Sequence, residues 1–375
     1  MADVFTEALG LVSKGQKAVL STIVASKGSL PMSKKAKMLV RPDGQIVGTV
    51  GGGCLEADVW AEARQVMETG EPTLQRFILT EEHAGEDGLN CGGNVEIFTE
   101  PLYAGRSEEV LREIAKIRAE RGSGVLATLV SGGDEASQSA KLLVRADRTT
   151  LGTLGCPAAD AAVLAEVEGM DAIPEDLLKV IDLEGGAAED RGALKVFLES
   201  ICPEPTLYLF GGGHVSFAIA RVAHTVGFRI VVIDDRPMFA NRERFPMADE
   251  TLTLEMETAF EHLTIDGLSY ILAVTRGHQH DKPVVEQAVE TDAAYIGMIG
   301  SRRKIALMWK ELEEKGIPRE RLEEVHAPLG LDIGADNPEE IAVSVVAELI
   351  QVRRSGGKPA HEVRSLSAPR TAAAP

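Results

Sequence analysis

Gly51, Gly52, Gly53 and Cys54, in "GQIVGTVGGGCLEADVWAEA", stand between a run that reads as a β-strand and one that reads as a helix. A strand-to-helix turn of bare backbone offers consecutive N–H donors to an anionic or amide-bearing ligand at close range. Cys54 would then occupy the first helical turn, where the positive end of the helix dipole favours thiolate. Cys91 has a similar setting, followed by Gly92 and Gly93 in "LNCGGNVEIF". Each thiol could ligate a soft metal or carry sulfur, and each could equally be a small buried apolar residue. The four cysteines show no C-x-x-C pairing, so neither a zinc knuckle nor a dithiol redox motif is indicated.

A second group of candidates lies in "LFGGGHVSFAIARVAHTVGFRIVVIDDR". Gly211 and Gly213 follow a strand and open a helix, and Asp234 closes the next strand 21 residues after Gly213. This is the first βαβ turn of a Rossmann fold, built so that a pyrophosphate reaches the helix N-terminus and an acid accepts from a ribose. Ser216 replaces the third glycine, and the alternative is a scaffold in which Asp234 only caps or salt-bridges. His214 opens the same helix, as an anion donor or a local cap. "TRGHQHD" follows another strand, so Arg276, His278 and Asp281 should emerge on the same sheet edge, near His214. In "GMIGSRRK", Ser301 as cap and Arg302, Arg303 and Lys304 at a helix start form a candidate oxyanion site. The alternative is a solvated basic face that balances the nearby "KELEEKG".

The elements that must position these residues fall into two styles. "KMLVRPDGQIVGTVGGGCLEADV" at Lys37 recurs in register as "KLLVRADRTTLGTLGCPAADAAV" at Lys141, 104 positions later. Strand-like runs precede and follow each copy, which predicts two copies of one strand-rich α/β unit sharing a core. Only the first copy keeps the glycine turn; the second has Cys156, Pro157 and Ala158. From Thr206 the pattern becomes strand, turn, helix in repetition, with near-continuous apolar strands, which argues a parallel sheet covered on both faces. Asn337, Pro338 and Glu340 mark the start of the final helix. The expected class is α/β: an N-terminal duplicated α/β domain over 1–204 (copies about 1–104 and 105–204), then a Rossmann-like doubly wound sheet over 205–355. Residues 356–375 read as a disordered tail.

The formal net charge of -19 repels phosphate backbones and anionic lipid, so nucleic acid and membrane are poor partners. No charged-then-apolar leader opens the chain and no apolar run has the length a bilayer needs, so the expected location is cytoplasmic.

Taken with "CGGNVEIFTEPL", "IDDRPMFANRERFP" and "GLDIGADNPEEIAVSVVAELI", these motifs run in the order of a known family. Over nearly its whole length the chain resembles the xanthine dehydrogenase accessory factors of XdhC/CoxI type. The resemblance implies a carrier without a turnover reaction of its own. Such a carrier binds and protects molybdenum cofactor (molybdopterin), supports exchange of an oxo for a sulfido ligand with a cysteine desulfurase, and hands the cofactor to a xanthine dehydrogenase-type molybdenum hydroxylase. It also implies a homodimer. On this reading the turns at Gly51 and at Cys91 approach the pterin or molybdenum end, Cys54 and Cys91 being the candidate molybdenum contacts, and a nucleotide is possible at the Rossmann turn. The rival reading is an NAD(P)-dependent oxidoreductase using that turn, with His214 or His278 moving the proton.

Overall fold

The computed structural model describes residues 3–28, 36–78, 93–132, 139–168, 177–181 and 194–355. The chain divides into two compact units, Met1–Pro203 and Glu204–Pro375.

In the first unit the elements are α1 (Val4–Val12), β1 (Ala18–Lys27), β2 (Lys37–Val40), β3 (Ile46–Gly48), α2 (Gly53–Thr69), β4 (Thr73–Ile78), β5 (Asn94–Leu102) and α3 (Arg106–Ala119). They continue with β6 (Gly124–Ser131), β7 (Lys141–Arg145), β8 (Thr150–Thr153), α4 (Pro157–Val167), β9 (Leu177–Ile181) and β10 (Leu194–Ile201). Two antiparallel sheets result, ordered β3-β2-β1-β5-β4 and β8-β7-β6-β10-β9, one topology built twice. Period-two alternation sends the side chains of one strand to opposite faces. Val19 and Ile23 of β1 therefore join a core under α2, whereas Leu20 and Val24 turn to the other face. Val125, Ala127 and Leu129 of β6 likewise pack under α4, and Leu126 and Val130 turn inward. The inward residues of both sheets meet in shared clusters with α1 and α3, giving two sheets face to face with a helix on each outer side.

The second unit runs β11 (Thr206–Phe210), α5 (His214–Thr225), β12 (Arg229–Asp234), β13 (Glu250–Thr253), β14 (Ser269–Ala273), α6 (His278–Ala288) and β15 (Tyr295–Met298). It ends with α7 (Arg302–Glu314), α8 (Arg319–Glu323) and α9 (Pro338–Ser355). The five strands are parallel and ordered β13-β12-β11-β14-β15. Leu207 and Leu209 of β11 face α5 and α9, while Tyr208 and Phe210 face α6 and α7, so both sides of the sheet are covered. That is why these strands read as continuous apolar runs. The chain reverses direction across the sheet between β11 and β14, the switch point at whose carboxyl edge doubly wound sheets gather ligands. Asn337 caps the last helix as its sequence predicts, Glu340 N donating to Asn337 Oδ1 at 2.9 Å, while the Glu340 carboxylate accepts from Asp336 N at 2.9 Å, one residue before the amide a capping box would use. No helix among the described residues is long and apolar enough to cross a membrane.

Candidate functional site

The turn between β3 and α2 is held open from below. Thr49 Oγ1 donates to the Glu56 carboxylate and accepts from Gly51 N at 3.2 Å. Gly51, Gly52 and Gly53 follow with φ of 145°, 70° and 62°, three successive conformations that side-chain-bearing residues rarely adopt. At Gly52 and Gly53 a Cβ would meet nothing within 4 Å, so it is the backbone course and not crowding that demands glycine there. Gly52 caps α2 without a side-chain hydrogen bond, and Cys54 lies exposed with a free thiol in the first turn.

The duplicate tells scaffold from site. Its Thr153 donates to Asp160 at 2.6 Å and accepts from Gly155 N at 3.0 Å, repeating the Thr49–Glu56 brace 104 positions on. The turn above it differs: Cys156 is extended at φ -143°, and Pro157 occupies the start of α4. The brace belongs to the fold, and the open glycine backbone belongs to the first copy.

Lys27 pairs with Asn94 and Met38 with Gly48, so Gly93, before β5, and the Gly51–Gly53 turn lie at the same end of their sheet. Gly93 is buried. Cys91 and Gly92 lie outside the described residues. Among the described residues no group of three or more His, Cys, Asp or Glu side chains is arranged to hold a metal ion.

In the second unit the carboxyl edge of the sheet carries the other candidates. Gly211 and Gly212 are pressed against protein, since a Cβ would come within 2.3 Å of the Val274 carbonyl oxygen at Gly211 and 2.2 Å of that of Phe239 at Gly212. Gly213 faces open space and caps α5 without a side chain. His214 is exposed at the start of that helix. Gly277 caps α6 in the same uncrowded way, so two helix N-termini without side-chain caps flank the switch point. Ser216 is fully buried, and its Oγ has no hydrogen-bond partner among the described residues.

The acids of this edge are engaged with protein. Asp234, 1% exposed, accepts from Gly212 N at 2.7 Å, from Arg236 N at 3.1 Å, and from Arg236 Nε and Nη2 at 2.8 and 3.0 Å. Burial pushes its carboxyl up, but the Arg236 guanidinium and the two amides outweigh this and hold it below the usual carboxylate range. Arg276 pairs with Asp235 at 3.1 and 2.7 Å and donates to His280 Nε2 at 3.0 Å. Asp281 is buried and closes its own loop, accepting from Thr275 N at 3.0 Å and Thr275 Oγ1 at 2.6 Å. His278 is the first residue of α6.

Ser301 caps α7, accepting from Lys304 N at 3.4 Å. Arg302, Arg303 and Lys304 are exposed and make no ion pair among the described residues. The acids of "KELEEKG" are matched elsewhere, Glu311 with Lys282, Glu313 with Arg319 and Glu314 with Lys310.

One constellation is not among the candidate site residues, although Gly330 and Glu348 stand in the quoted run "GLDIGADNPEEIAVSVVAELI". Glu348 of α9, 1% exposed, accepts from Tyr295 Oη at 2.6 Å and from Gly330 N at 2.7 Å, and lies 3.0 Å from His326 Nδ1. Burial raises its carboxyl, yet the bond to His326 prevails and leaves it below the carboxylate range. Its only signal is a lone acid in "AVSVVAELI", on a helix whose Val345, Leu349 and Val352 are core.

Two family models match the chain, one for the XdhC and CoxI family over residues 11–77 and one for the XdhC Rossmann domain over residues 207–349. The chain belongs to the XdhC and CoxI family. Across 365 residues this XdhC/CoxI chain is 34% identical to the uncharacterized protein YqeB of Escherichia coli K12, covering 96% of the chain and 49% of that protein. It thus spans about half the length of that relative. It is 28% identical to a probable xanthine dehydrogenase subunit from Bacillus subtilis 168, over 94% of the chain and 98% of that protein. It is 25% identical to the molybdenum cofactor insertion chaperone PaoD of E. coli K12, over 92% of the chain and 86% of that protein. A crystal structure of a xanthine dehydrogenase from Bacillus halodurans shares the fold, with a TM-score of 0.75 over 94% of the chain and 96% of its own, at 24% identity. Within this XdhC/CoxI frame the matched N-terminal span contains the glycine turn and Cys54, and the matched Rossmann span contains every candidate of the second unit.

Proposed function

We propose that the chain is a carrier for molybdenum cofactor, which it binds, shields and passes to a xanthine dehydrogenase-type molybdenum hydroxylase. The observation that carries this reading is the Gly51–Gly53 turn, open and left-handed in one copy and replaced in the other over a corresponding threonine–carboxylate brace. The names borne by two relatives, one a molybdenum cofactor insertion chaperone and the other a probable xanthine dehydrogenase subunit, point the same way.

The residues present fit such a cargo. A pterin phosphate bearing molybdenum offers an anion, amide-type edges and a soft metal. Against these the first unit sets a glycine turn into whose free space a Cβ would project, uncapped N–H groups at the start of α2, and an exposed thiol. The redox chemistry of the bound cofactor belongs to the client hydroxylase. In the carrier, Gly51 to Gly53 would offer bare backbone to the cargo, Cys54 and Cys91 would be the candidate contacts to its metal, and Gly92 and Gly93 would bind beside Cys91. Gly211, Gly213, His214, Asp234, His278 and Asp281 shape the Rossmann crevice, and Ser301, Arg302, Arg303 and Lys304 hold a phosphate. Exchange of oxo for sulfido with a cysteine desulfurase, a homodimeric state and action in the cytoplasm complete the proposal.

The test is to purify the protein from a molybdenum-replete host, measure bound molybdenum and pterin, and mix the loaded protein with a cofactor-free hydroxylase. Stoichiometric pterin and regained hydroxylase activity are expected. Tight binding and oxidation of NAD(P)H by some carbonyl acceptor, with no gain in the hydroxylase, would replace the carrier by an oxidoreductase.

A further inference from the structure

The acid that ends the second strand of a Rossmann domain ordinarily takes the hydroxyls of a ribose. A carboxylate has about four lone-pair sites to offer. In this chain four donors already point at Asp234: Gly212 N, Arg236 N, and Arg236 Nε and Nη2, all between 2.7 and 3.1 Å. The side chain is 2% exposed. Nothing remains with which to receive a diol.

The arginine that saturates it is itself fixed. Its guanidinium lies 3.7 Å from the centre of the Phe239 ring, a distance at which a planar cation is held by the face of the aromatic ring. The Phe239 carbonyl in turn rests on Gly212 so closely that a Cβ there would approach it to 2.2 Å. Arg244 binds the same turn, with Nε donating to Gly212 O at 2.8 Å. The segment from Arg236 to Phe239 is thus packed onto the glycine turn, tied through both backbone and side chain. A Rossmann domain that reads nucleosides leaves its acid open at this point; here the acid is spent on the protein.

We infer that Arg236 is a specificity-determining residue that closes the ribose subsite, so that this Rossmann turn does not recognise the diol of a nucleotide and is left to ligands without one. The inference concerns Asp234 and Arg236 alone, and it holds whether or not the first unit carries a pterin.

The experiment uses the full chain and two commercially made probes, ADP and 2′,3′-dideoxy-ADP, titrated calorimetrically into wild type, Arg236→Ala and Arg236→Lys. Wild type should treat the two probes alike or bind neither. Arg236→Ala uncovers two acceptor sites on a charged group, so it should prefer ADP by about tenfold or more. Arg236→Lys should fall between. Gain of a preference cannot come from misfolding, and the thermal transition of each variant is recorded beside it. A wild type that already prefers ADP tenfold and loses the preference in Asp234→Asn overturns the inference, as does an Arg236→Ala that fails to discriminate.

Discussion

Lys141 Nζ reaches from its own sheet to Glu100 Oε1 on the facing sheet at 2.7 Å, with both side chains buried. Its counterpart 104 positions earlier, Lys37, makes the reciprocal pair with Glu199 at 2.9 Å. Each copy of the duplicated unit therefore places a lysine on the other copy's glutamate. Each pair ties one sheet to the other, and removing one partner is costly because it leaves an uncompensated charge buried between them.

Lys141→Met should accordingly destabilise the first unit by about 3–5 kcal/mol, since it strands the Glu100 charge. Lys141→Met with Glu100→Leu should recover most of that loss. Urea unfolding followed by Trp60 fluorescence in a Trp309→Phe background checks this, as these are the chain's two tryptophans. A double variant no more stable than the single one would show that the pair is not the coupling element.

At the glycine turn, Gly52→Ala places a Cβ at φ 70° and ψ 178°, a region open essentially to glycine, at a cost of about 1–3 kcal/mol. Thr153→Val, in the duplicate, removes the same kind of brace without touching the open turn. Pterin retained through purification should fall in the first variant and hold in the second. Equal retention in both would detach the turn from the cargo.

Thiol contact is tested by Cys54→Ala, Cys91→Ala and the double variant. At least one should lose molybdopterin, measured by fluorescence of the released, oxidised pterin. Full retention in all three removes thiol ligation from the proposal.

The basic group at the start of α7 should act through charge. Replacing Arg302, Arg303 and Lys304 together by Gln is expected to leave the thermal transition in place, because none of them is paired among the described residues. Cargo binding should weaken, and wild-type affinity should fall between about 50 and 500 mM salt as screening grows. Binding that ignores both salt and substitution would return the group to the solvated face.

Glu348 links stability to pH. Its folded carboxyl sits below the usual range, so its contribution is complete above the unfolded value of about 4.3 and disappears as pH falls through the folded value. Glu348→Gln should cost about 1.5–3 kcal/mol at pH 7, where the charged acceptor is lost to His326, Tyr295 and Gly330, and the gap to wild type should close below about pH 4. Melting curves from pH 3 to 8 decide it: a gap independent of pH would mean that packing, not charge, is what Glu348 supplies.

Much of the fold is written in local pattern. The run "NVEIFTEPL" is β5 from Asn94 to Leu102, and "TLYLF" is β11 from Thr206 to Phe210. The continuous apolar character of the later strands announced a parallel sheet buried on both sides, and Asn337 with Glu340 marked the start of α9. These features are legible because alternation, capping and turn chemistry are decided by residues a few positions apart. The edge strands β4 and β9 are short runs, "TLQRFI" and "LLKVI", that stand outside the strands expected from the sequence, and pair with β5 and β10.

What the sequence by itself determined, then, is where bare backbone, thiols and charges occur and at which ends of strands they stand. Whether each is available was decided by tertiary structure. Asp234 stood in the position of a ribose acceptor, but Arg236 and the amide of Gly212 consume it; Asp281 turned into its own loop; Arg276 chose Asp235. Lys37 and Lys141 were visible as a repeat, but their exchange of partners across two sheets was not. A hydrogen-bonding group has few bonds to give; some of its claimants stand close by, Arg236 two positions from Asp234 and Thr275 six from Asp281, but the others are brought together from 22, 41 or 162 positions away, which no local spacing records.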